Sequence, residues 1–154
     1  MRRWRRFHRR VSAEDGTASL EFVTAGLILL LPMVYLVLTL SALQAASLAV
    51  EGAARQAVRV YVQAPDARSA DAEVDRAIRF ALADYGIDSS AASVSISCSP
   101  RASECLQRRA TVTISVGVSV GLPLLPPALG MDGPAAVPLR STATQQVSRF
   151  WGAP

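Results

Sequence analysis

Residues 16–50 read GTASLEFVTAGLILLLPMVYLVLTLSALQAASLAV. Within them, Phe22 to Val50 is a run of 29 residues without a charge, and Glu21 stands immediately before it. At 1.5 Å per residue, such a helix is about 43 Å long, against a hydrocarbon core of about 30 Å. The run is therefore long enough to span a bilayer, with the crossing expected over about residues 22–46. Pro32 is tolerated in a membrane helix, where it can introduce a kink. A cleavable secretory signal is the rival reading. Its basic start fits, but its apolar region is usually only about 7–15 residues. The one small-residue cleavage pattern near the end, Ser47-Leu48-Ala49, is a poor match.

Upstream, the charge is concentrated. All 16 basic residues of the 154-residue chain are arginine, and Arg2, Arg3, Arg5, Arg6, Arg9 and Arg10 lie in the first ten positions. Residues 1–16 carry a net charge of +4, whereas residues 17–154 balance ten arginines with ten acids. The arm has two readings. It can bind nucleic acid or anionic lipid, with Trp4 and Phe7 interleaved for stacking or for the membrane interface. Placed before an apolar span, it also acts as a topology signal that stays cytoplasmic. The second reading predicts a cytoplasmic basic leader (1–16), an N-terminal helix (17–63) and an extracytoplasmic domain (64–154).

Downstream, the helix is expected to continue to a break at Pro65-Asp66, supported by Glu51 and Arg55 at i, i+4. Ala45, Ala49, Ala53 and Ala57 recur every fourth residue. Such a ridge of small side chains lets a second helix approach closely, although alanine-rich composition alone also produces it. Residues 69–85 read as a second, amphipathic helix. Val74, Ile78, Leu82 and Tyr85 share one face, Asp75 and Arg79 form an i, i+4 pair, and Gly86 is the expected C-cap.

Strands follow. Val94, Ile96 and Cys98 alternate with serine, and Val112, Ile114, Val116, Val118 and Val120 alternate with Thr, Ser and Gly, the period of half-buried strands. Residues 121–138 hold five of the nine prolines and read as an apolar loop, exposed for a partner or membrane, or folded over the core. Residues 139–148 resume a weaker alternation as a last strand. Phe150-Trp151 suits an interface or a docked terminus. Cys98 and Cys105 bracket the connection between the first two strands. A disulfide there would require an oxidising compartment and so an extracytoplasmic domain; two free thiols are the alternative. The predicted fold is thus α+β: a long N-terminal transmembrane helix, a second amphipathic helix, and a small antiparallel sheet of three to four strands with one disulfide.

Catalysis is not expected. The only histidine, His8, lies in the arm, and there is neither a phosphate-binding glycine loop nor a nucleophile elbow. No cofactor, metal, small-molecule substrate or nucleic-acid partner is expected.

A glycine, four residues, then glutamate and an aromatic, placed between a basic leader and an apolar helix, resembles the cleavage site of a type IV prepilin. The resemblance extends along Ser19-Leu20-Glu21-Phe22, the apolar run with Pro32, and Ala53-Ala54-Arg55-Gln56-Ala57-Val58-Arg59. Over about residues 17–60 the chain is similar to the TadE-like family, the minor pilins or pseudopilins of the tight-adherence (Flp) pilus. It departs from that family at Gln56, where an acid is common, and at Thr39 and Leu40, where an aromatic is common near the distal end of the apolar run. The resemblance implies a bacterial membrane protein whose processing site is Gly16-Thr17, cut by a prepilin peptidase. It also implies that Glu21 and Phe22 act in assembly, with Glu21 pairing to an α-amino group, and that the partners are other Tad/Flp assembly proteins, pilins and membrane lipid. The simpler reading of Glu21 is an acid favoured in a first helical turn. The alternative for the whole chain is a signal-anchored extracytoplasmic binding module unrelated to pili.

Overall fold

The computed structural model describes the backbone of residues 4–101, 104–122 and 136–152, and the side chains of these except 4–16 and 91. The chain divides into two compact units, Met1–Leu40 and Ser41–Pro154. Helix α1, Trp4–Gln63, contributes to both.

In the first unit, residues 17–34 of α1 are exposed. Two hydroxyls in the apolar stretch bond back to their own helix: Thr24 Oγ1 donates to the Leu20 carbonyl (2.8 Å) and Thr39 Oγ1 to the Tyr35 carbonyl (2.9 Å). Their polarity is thereby satisfied internally. Pro32 lies inside the helix, where its missing N–H leaves the Ile28 carbonyl without the usual helical donor.

The second unit is the α+β fold. Pro65 and Asp66 separate α1 from helix α2, Ala67–Ala83. Asp66 is the N-cap of α2, accepting from the Ser69 backbone N–H at 2.9 Å. At the other end, Gly86 adopts φ +68°. Its N–H bonds the Ala83 carbonyl, and the Ile87 N–H reaches back to the Leu82 carbonyl. These two bonds form a Schellman motif, which a residue without Cβ enters at little cost. The helix begins two residues earlier and ends two residues sooner than its periodicity indicates.

After a 3₁₀ turn, Ser89–Ala91, come three strands: β1 Ser93–Ser99, β2 Thr111–Gly121 and β3 Ala136–Gln146. They form one antiparallel sheet in the order β1-β2-β3. Among the described residues the sheet has three strands, the lower of the numbers anticipated. The expected 121–138 loop is shorter at both ends, because Gly121 pairs with Ala136 and Val120 with Val137. Pro138 lies within β3, opposite Ser119. A proline without a ladder donor fits an edge strand, which is why its presence did not end the strand. Leu124, Leu125, Leu129 and Met131 of the proposed apolar loop lie outside the described residues; Leu122 is half-buried.

The core lies between the sheet and the two helices. One buried cluster joins Ala49, Val50, Ala53, Ala54, Ala57, Val58, Tyr61 and Val62 of α1 to Ala70, Val74, Ile78 and Leu82 of α2 and to Val112, Ile114, Val116 and Val118 of β2. Tyr85, assigned to the buried face of α2, is instead exposed, because the chain has turned at the helix end before reaching it. Among the described residues Asp75 and Arg79 form no ion pair; Arg76 bonds Glu73 at i, i+3 (2.9 Å) instead. The Glu51–Arg55 pair is present.

The C-terminus is docked by one residue. Trp151 Nε1 donates to the Ala64 carbonyl (2.9 Å), at the junction of the two helices, while Arg108 Nε donates to the Trp151 carbonyl (3.0 Å). Phe150 stays exposed, with the Arg149 guanidinium 4.6 Å from its ring centroid.

Candidate functional site

The apolar part of α1 is the feature that needs a functional explanation. It passes the length and composition test for a membrane span, with a mean hydropathy of 2.4 in a window none of which is buried. Between Leu20 and Leu40, fourteen large apolar side chains are exposed, Phe22 the most at 79%. Moving such a side chain out of water is worth roughly 1.5–3 kcal/mol when burial is complete. Even at half that value, the stretch carries of order 20 kcal/mol, more than the ~5–15 kcal/mol that holds a typical domain folded. By length and composition this stretch is able to cross a membrane.

The processing, assembly and helix-packing residues expected from the sequence can be placed on α1. Gly16 and Thr17 lie within α1, as do Glu21 and Phe22, which are exposed. The alanine ridge divides. Ala45 is half-buried, but Ala49, Ala53 and Ala57 are 1%, 0% and 0% exposed, inside the chain's own core cluster. Their small side chains serve close packing within this chain, so the ridge is not a face left open to another subunit. The α1 surface that does remain open beyond the apolar stretch carries Leu48, Gly52, Arg55, Gln56 and Arg59.

Cys98 and Cys105 form a disulfide with Cα atoms 5.2 Å apart, closing the connection between β1 and β2. The same connection is tied again by Arg101 to Glu104 (2.9 Å) and Gln107 to Glu104. Tyr61 lies beside this loop; burial, and secondarily the Asp71 carboxylate, raises its phenol pKa. Two carboxyls are held below their ordinary value, Asp66 by the backbone N–H and hydroxyl of Ser69, and Asp88 by those of Ser90. Both work as caps for the turns that follow them.

The outward face of the sheet escaped the sequence reading. Ser93, Ser95 and Ser97 on β1, Thr111, Thr113 and Ser115 on β2, and Thr142 and Thr144 on β3 all point away from the core by register. Two hydroxyl pairs cross the strands, Thr113 with Thr144 (3.0 Å) and Ser115 with Thr142 (2.7 Å). Gly117 lies in the same row because a Cβ there would come within 2.6 Å of Ser93 Oγ. The signal was present in the sequence, as the polar half of each alternation, but alternation reveals only which half is solvated.

Open cavities adjoin the sheet. One of about 400 Å³ is lined by Asp75, Ile78, Arg79, Ser89, Ser90, Ala92 and Val94. Another, of about 230 Å³, lies around Gly117 and Arg140. Among the described residues no three His, Cys, Asp or Glu side chains converge to hold a metal ion. Compared with family models, curated proteins and solved structures, the chain matches none of them.

Proposed function

We propose that the protein is a TadE-like minor pilin or pilus assembly protein of a type IV-like (Tad/Flp) system. Its α1 stretch is seated in the cell membrane, its N-terminus is cytoplasmic, and its α+β unit is extracytoplasmic. The observation that carries this reading is the wholly exposed apolar stretch of α1 behind GTASLEF. The +4 leader before it gives the orientation, and the Cys98–Cys105 bond fits an oxidising compartment outside the cytoplasm.

The mechanism is lateral association of helices, without chemical turnover. A peptidase cut after Gly16 removes the basic leader and creates an α-amino group on Thr17. Glu21, four residues on, then has an amine to pair with, its own or that of a neighbouring subunit. In low dielectric that pair is strong and an unpaired carboxylate is costly, so the pair sets the register of neighbouring helices. Because Ala49, Ala53 and Ala57 are occupied by the chain's own core, the association runs through the residues preceding Leu40.

Mass spectrometry of the membrane-extracted protein tests this reading. The expected result is loss of residues 1–16 and a free amine on Thr17. An intact N-terminus in cells with an active prepilin peptidase would refute the pilin assignment and leave α1 as the tether of a binding module.

A further inference from the structure

We propose that β1 is a self-association edge: two copies of this chain pair their β1 strands antiparallel about Ile96, joining two three-stranded sheets into one of six. The sheet has two outer strands, and they are built differently. β3 carries Pro138 and Arg140, the kind of residues that keep an edge from pairing. β1 reads SVSISCS, with no charge and no proline. Among the described residues it pairs only with β2, so its other side presents a row of unused N–H and C=O groups. Val94 and Ile96, which belong by register to the core face, are still 40% and 36% exposed. The apolar cover is thus incomplete at this edge.

The occupant is a second copy of the same strand, whose pattern fits its own. With Ile96 opposite Ile96, Val94 meets Cys98, Ser95 meets Ser97, and Ser93 meets Ser99. Every apolar residue falls beside an apolar one on the core face, and every serine beside a serine on the hydroxyl face. The segment is self-complementary under a two-fold axis, as an isologous interface requires. Charge does not oppose it: the strand has none, and Asp75 and Arg79 in the adjoining cavity cancel. That cavity, next to Val94, leaves room for the second copy's side chains.

A seven-residue edge is smaller than the roughly 800 Å² per partner of a standard stable interface. The pairing is therefore weak in dilute solution and depends on confinement. If the chain is membrane-seated as proposed above, both copies share one plane and the effective concentration rises accordingly. The strand pairing itself does not depend on whether the leader is cut.

The test uses the full chain, reconstituted in lipid vesicles as an equal mixture of ¹⁴N and ¹⁵N copies, with a photo-crosslinking residue at Ser95. The expected product is a mixed-isotope dimer cross-linked from β1 to β1, reduced at least tenfold by Ile96→Lys. Because Ile96 is already partly exposed, the variant is expected to keep its fold, which the retained Cys98–Cys105 bond and circular dichroism verify. Absence of mixed-isotope products, cross-links that map outside β1, or a yield unchanged by Ile96→Lys would each overturn the proposal. In cells, capture of a strand from a different protein at Ser95 in place of a second copy would overturn it as well.

Discussion

Ala57 is completely buried where α1 enters the core, and Ala57→Leu adds three carbons to a site with no room for them. Overpacking of this kind costs typically about 1–3 kcal/mol. The second unit, Ser41–Pro154, has an unfolding entropy of roughly 0.24 kcal/mol/K at about 2.1 cal/mol/K per residue. The expected loss is therefore about 4–12 °C in Tm. Fluorescence can follow the unfolding in detergent, in a Trp4→Phe background, so that Trp151, the other of the two tryptophans, is the sole reporter. Gly52→Ala is the internal control. It lies on the open face of the same helix, with nothing within 4 Å of an added Cβ. Replacing a mid-helix glycine there is worth roughly 0.5–1 kcal/mol, a rise of about 2–4 °C. If Ala57→Leu melted with the wild type while lowering its association state, the ridge would be a subunit contact and the reasoning here would be wrong.

Three further outcomes are expected. Gly86→Ala places a Cβ on a residue at φ +68° and should lower Tm by about 4–8 °C, from the roughly 1–2 kcal/mol cost of a left-handed conformation; an unchanged melt would show that α2 does not rely on this cap. Replacing both Cys98 and Cys105 with serine opens a loop of about eight residues and should cost roughly 2.5 kcal/mol on the chain-entropy estimate, read as a lower urea midpoint. Acid should weaken the fold through Asp66 and Asp88. Their folded pKa values lie below the ordinary 3.8, so their contribution is complete above that value and is lost as pH falls through the lowered one. An Asp66→Asn, Asp88→Asn double variant caps without titrating and should unfold less steeply below pH 3.8; an identical acid titration would remove these caps from the account.

Where the reading relied on local pattern, the structure followed most of it, Tyr85 and the Asp75–Arg79 pair excepted. The period-2 runs of β1 and β2, the 3.6-period face of Val74, Ile78 and Leu82, and the turn at Gly86 are all present, because each depends on neighbours in the chain. Most of the other departures arise where distant residues decide. Ala49, Ala53 and Ala57 have the spacing of a helix-packing ridge, and spacing cannot distinguish a helix of another subunit from the α2 helix and sheet of the same chain. β3 is expected over 139–148 but spans Ala136–Gln146: the pattern sets its start three residues late because Pro138 counts against a strand unless the strand is known to be an edge, and its end two residues too far. Arg79 had a partner at the right spacing, yet the ion pair that formed on α2 is Glu73 with Arg76. The tie from Trp151 to Ala64 crosses 87 residues and has no local signal at all.

The hydroxyl-covered side of the sheet has a consequence for how this protein meets its surroundings. Most proteins stay dispersed through surface charge, whose effect varies with ionic strength and acidity. On β1, and on the paired stretches Thr111–Ser115 and Thr142–Thr144, this side is covered by serine and threonine, while Arg140, Pro138 and Gln146 of β3 share the same face. Neither salt nor protons alter a hydroxyl over ordinary ranges. The hydroxyl-covered part of the sheet thus keeps the same affinity for water in fresh, saline or mildly acidic media.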